Sequence, residues 1–103
     1  MRLHSASEPE PTLFSLERFA DASGISGTGR VLDGVVFHTG QVVVCWRSHL
    51  SGSPSQSSIA IYPTVQAFLE IHVLPHGRHA SRLKVLHGKC AELESFGPLE
   101  QNP

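Results

Sequence analysis

The sequence predicts an α+β fold, a small mostly antiparallel sheet of about five strands with one helix packed on it, in the order β-β-β-β-α-β. Three observations lead there: two β-branched runs around a glycine-containing turn at residues 30–47, one segment of helical periodicity after Pro63, and an alternating segment at 81–86. At 103 residues with 40% hydrophobic content, the chain can fill one core and has no room for a second domain.

Residues 1–11 mix charges and prolines without periodicity and read as a mobile leader, with order beginning near Thr12. Leu13, Phe14, Leu16 and Phe19 then form a first strand that stops at the turn-rich Asp21–Gly24. The stretch 23–29 carries three glycines in seven residues and predicts a loop. Residues 30–37 and 41–47, joined across His38-Thr39-Gly40, predict a β-hairpin. In its second strand Val42, Val44 and Trp46 alternate with Val43 and Cys45, both sets apolar, which predicts a central strand covered on both faces. Gly34 predicts a bulge in the partner strand.

Residues 48–58 are rich in Ser, Gly and Pro and read as a surface loop, followed by a short strand to Tyr62. Pro63-Thr64 opens a helix whose Val65, Phe68, Leu69 and His72 fall on one face, and Pro75 and Gly77 end it. From Ser81 to Leu86, Leu83 and Val85 alternate with Arg82 and Lys84, as in a half-exposed strand. The domain thus spans 12–87, and 88–103 reads as a flexible tail.

A net charge of −1 gives no positive field toward nucleic acid or anionic membrane, and the longest apolar runs fall far short of the roughly 20 residues of a transmembrane helix. The N-terminus lacks the apolar core of a secretory signal, so the expected location is the cytoplasm. Cys45 and Cys90 read as two free thiols.

Several residue groups are candidate sites. The glycine loop could turn backbone N–H groups toward a phosphate at Ser26, Gly27, Thr28, Gly29 and Arg30, although neither the P-loop spacing nor its following helix is present. Ser26 with Asp21 and His72 suggests a nucleophile triad, but the glycine of a nucleophile elbow two residues after the serine is missing. His72, His76 and His79 are of metal-ligand type, with Pro75 breaking the helical alignment of the first two. Arg78, Arg82 and Lys84 form the basic cluster of the chain and a candidate partner-binding edge. Trp46 and Tyr62 serve as core or, if exposed, as stacking surfaces.

The string Asp21-x-Ser23-Gly24-x-Ser26-Gly27-Thr28-Gly29, with Gly34-Val35-x-Phe37, Gly40, Trp46, Ser57-Ser58, Tyr62, Ile71-His72 and His76-Gly77, resembles a group of small bacterial and bacteriophage proteins of uncharacterised activity. The resemblance covers about residues 13–86 and implies a compact, phage-associated accessory domain. Together these readings predict a non-enzymatic binding module without a cofactor, acting on a protein partner or a host factor. Edge pairing of strands would allow a homodimer. The competing expectation is a small nucleotide- or phosphate-binding enzyme that uses the glycine loop and a histidine.

Overall fold

The computed structural model describes residues 9–19, 29–47, 57–77 and 80–95. It contains strands β1 (Thr12–Arg18), β2 (Gly29–Val36), β3 (Val42–Trp46) and β4 (Ile59–Tyr62), helix α1 (Val65–His72), strand β5 (Ser81–His87) and a short helix α2 (Ala91–Glu94). All strand pairs are antiparallel, and the sheet order is β4-β3-β2-β1-β5. The α+β expectation and its element order therefore hold, with α2 added.

The chain meanders from β1 to β4 and must then return from one edge of the sheet to the other to place β5 beside β1. Helix α1 makes that crossing. Thr64 caps it, its Oγ1 accepting the Ala67 N–H at 3.0 Å, and Val65, Phe68 and Leu69 face the sheet. A crossover on one side covers one face only. On that face lie Phe14, Leu16, Leu32, Val42, Val44 and Leu83, all buried.

No described helix packs on the opposite face, and here β3 departs from expectation: Val42 and Val44 are buried, but Val43 is only half-buried and Cys45 is exposed. Apolar composition on both sides of a strand did not imply cover on both sides, because this small fold has a single crossover. Both cysteines are free.

Gly34 also has a different role from the one expected. The irregularity in the β1–β2 ladder falls between Leu16 and Glu17, opposite Val31. Gly34 instead lies in register with Phe14, whose ring occupies the space above it: a Cβ at Gly34 would fall 2.5 Å from Phe14 Cε1. The ring then meets Phe68 edge-on at 5.5 Å. In the hairpin turn Gly40 takes φ 91°, and its N–H donates to Phe37 O at 2.9 Å.

Residues 88–95, read from the sequence as part of a flexible tail, carry the short helix α2. The Thr12 hydroxyl donates to Lys89 O at 2.9 Å, tying the segment after β5 to the start of β1, and α2 then buries Leu93 completely in the common core. One leucine is little hydrophobic signal in a polar stretch, so no periodicity announces it. Leu93→Ala is expected to lower stability by about 2–5 kcal/mol, since the core is left with a cavity. Urea unfolding measures this, and an unchanged midpoint would show that α2 does not belong to the folded unit. The rest of the expected tail, 96–103, and the leader through residue 8 lie outside the described residues.

Candidate functional site

Period-two alternation places Thr12, Phe14, Leu16 and Arg18 on the covered face of β1. Arg18 is only 1% exposed, and a guanidinium so buried is costly unless its N–H groups are satisfied. Its Nη2 donates to the carbonyl of His72 at 2.6 Å. His72 is the last residue of α1, where helix carbonyls lack internal partners and the helix dipole favours a cation. Arg18 therefore caps the helix from below and fixes the position of His72. Ser81, in register with Arg18, has its hydroxyl buried with no hydrogen-bond partner among the described residues.

Above Arg18, three half-buried side chains surround one another. The Tyr62 hydroxyl lies 2.5 Å from His72 Nε2, the Trp46 ring meets the imidazole edge-on at 5.1 Å, and Phe68 closes the inner side at 5.7 Å. Burial pushes the Tyr62 phenol above its ordinary value, so it stays protonated through neutral pH. A phenol both donates and accepts, so it can bond Nε2 in either protonation state of the imidazole.

Tyr62 is the one tyrosine of the chain, so ultraviolet absorbance follows its ionisation alone. The expected midpoint lies above 10.0 in the folded protein and returns to about 10 in denaturant. Because the folded pKa is raised, the folded state holds its proton more tightly. Stability is thus unaffected below pH 10 and falls as pH climbs through the folded value. Tyr62→Phe is expected to remove that alkaline loss. A folded midpoint at or below the denatured one would contradict the buried environment of the phenol.

Of the residues expected to hold phosphate, Ser26, Gly27 and Thr28 lie outside the described residues, as does Asp21. Gly29 opens β2 with φ 88°. Arg30 is in register with Glu17, whereas Arg18 is in register with Gly29, so the two arginines project from opposite faces. On the open face Arg30 Nε and Arg47 Nη1 each donate to the Asp33 carboxylate at 2.8 Å. The structure thus does not bring Arg30 to His72.

His72 and His76 are separated as Pro75 requires: α1 ends at His72, and Leu74–His76 forms a 3-10 turn closed by Gly77. His79 lies outside the described residues, among which no group of three metal-type side chains forms. In the basic cluster, Arg78 is outside the described residues, Lys84 is exposed, and Arg82 donates twice to Glu17 Oε1, at 2.6 and 3.2 Å, while lying 5.4 Å from the Phe19 ring centre. A cleft of about 240 Å³ beside Thr12, Phe37, His38 and Glu92 includes none of the residues expected to bind phosphate, metal or a partner.

The sequence reading missed Arg18, although a signal was present: an arginine with the parity of Phe14 and Leu16 must lie on the covered face of β1. It noted Trp46, Tyr62 and His72 separately but could not join them, because they come from β3, β4 and α1.

No described helix is long and apolar enough to cross a membrane. The family model described as Acb5 phage protein matches residues 11–84, a span that contains Arg18, Trp46, Tyr62 and His72. Comparison with the curated proteins and with the solved structures gives no match.

Proposed function

Because the chain belongs to the Acb5 phage protein family, we propose that it is a phage-associated accessory protein that works without catalysis, binding a host protein at the Trp46–Tyr62–His72 cluster. The observation that supports this most is the composition and support of the cluster. Trp and Tyr are among the residues that dominate binding energy at protein interfaces, where each presents a large area at small entropic cost. Here Trp46 and Tyr62 are half-exposed, and their positions are set in advance by Arg18, His72 and Phe68. Such preorganisation lowers the cost of ordering side chains on association.

One observation favours a second reading. The Tyr62–His72 hydrogen bond joins a protonated phenol to an imidazole, a pair capable of acid–base work on a nucleotide or phosphate substrate. Growth of phage carrying each variant separates the two. Binding predicts that Trp46→Ala abolishes the benefit of the protein and that His72→Gln, which keeps a polar side chain beside Tyr62, retains most of it. Catalysis predicts the reverse order, with His72→Gln folded and inactive.

A further inference from the structure

The two edges of the sheet are built differently. The β5 edge carries Arg82 and Lys84, and its register against β1 slips between Leu13 and Phe14. Charge and irregularity of this kind block strand addition. The β4 edge has neither: its sequence is Ile59-Ala60-Ile61-Tyr62, and its ladder with β3 runs unbroken from Val42–Tyr62 to Cys45–Ile59. Ile59 and Ile61 are 66% and 69% exposed, the two most exposed large apolar side chains among the described residues.

Ile61 also ends a row. On the open face Leu13 is in register with Val35, Val35 with Val43, and Val43 with Ile61, so one apolar line crosses four strands and runs off the β4 edge. Of the charged groups of this face, Glu17, Arg30, Arg82 and Lys84 lie off this row, while Asp33, held by Arg30 and Arg47, shares the register row of Cys45 and Ile59.

We infer that the β4 edge pairs with the β4 edge of a second copy of this chain, antiparallel about a two-fold axis. The strand suits its own copy. With Ala60 opposite Ala60, Ile59 of each copy meets Ile61 of the other on the open face, and the uncharged strand sets no like charges against each other. The apolar row then continues into the second sheet. On the covered face the same register places Tyr62 opposite Ser58 of the second copy, so the interface borders the binding cluster.

A four-residue edge is about 14 Å long and buries less than the roughly 1,600 Å² of a standard interface. The dimer therefore belongs to the weak, concentration-dependent class. Sedimentation velocity over about 5 to 500 μM, the range of such affinities, tests it. The expected mass rises from the 11.2 kDa of one chain toward twice that value. Ile61→Lys is expected to hold the protein at one chain throughout, with its circular dichroism unchanged, and Lys84→Glu to associate as the original does. Should Ile61→Lys fail to fold, Ile61→Thr, which keeps β-branching, is expected to weaken association at least tenfold. A protein monomeric at the highest concentration overturns the inference. So does association that both Ile61 variants leave intact, or that Lys84→Glu abolishes.

Discussion

Replacing Arg18 by alanine is expected to destabilise the fold by about 3–5 kcal/mol, because a buried cationic hydrogen-bonding group and its volume are both lost. Two effects are combined in that number, and a second variant divides them. Arg18→Met restores most of the volume without a donor, leaving the His72 carbonyl unsatisfied, which costs about 1–3 kcal/mol for a buried acceptor. Denaturant unfolding is thus expected to rank original, Met and Ala in that order. Trp46, the one tryptophan of the chain, reports the local consequence: its fluorescence is expected to shift in both variants, since its ring packs on the imidazole whose residue Arg18 anchors. If Met matches the original protein, Arg18 serves as filler and the helix end needs no cap.

The second large effect concerns Gly34. Adding one methyl group, Gly34→Ala, is expected to cost about 1–3 kcal/mol by forcing the Phe14 ring out of its seat. In isolation the change favours a strand, because alanine has less backbone freedom to lose than glycine, worth roughly 0.5–1 kcal/mol. The two tendencies separate in a Phe14→Leu background, where the ring is gone. There Gly34→Ala is expected to become neutral or stabilising. The resulting coupling energy, read from four unfolding curves, places the methyl and the ring in direct contact. Equal costs in the two backgrounds would show that Gly34 is needed for another reason.

Both effects bear on how much could be read from the sequence. The hairpin, the capped helix and the half-exposed last strand were legible, because each is announced locally by turn chemistry, a proline and threonine at the helix start, or alternation. The order of strands in the sheet was not legible, because nothing local announces that the fifth strand returns beside the first. What was illegible needed partners distant in sequence. Gly34 read as a bulge because the ring of Phe14, twenty residues earlier, is what fills its place. Val43 and Cys45 read as buried because their composition matches Val42 and Val44, and only the one-sided crossover leaves them without cover. Leu93 is a single leucine in a polar segment.

The candidate site divides in the same way. His72 was singled out for its residue type, and Trp46 and Tyr62 as aromatics on strands, yet their side chains meet only across 10 to 26 positions of sequence. Arg18 was not singled out, although its parity with Phe14 and Leu16 places it on the covered face. The glycine loop attracted the most chemical interest in the sequence, and its residues 23–28 lie outside the described structure. Its described remnant, Arg30, engages Asp33 on the face away from His72.

We propose that Trp46, Tyr62 and His72, set in place by Arg18, hold a host protein. Native mass spectrometry of the protein recovered from its host tests it most directly, with Trp46→Ala recovered in parallel. A stoichiometric host protein is expected on the original chain and its loss from the variant, while the rest of the fold remains unchanged by hydrogen exchange. A metal or nucleotide adduct in place of a protein, or a complex that Trp46→Ala retains in full, would contradict it.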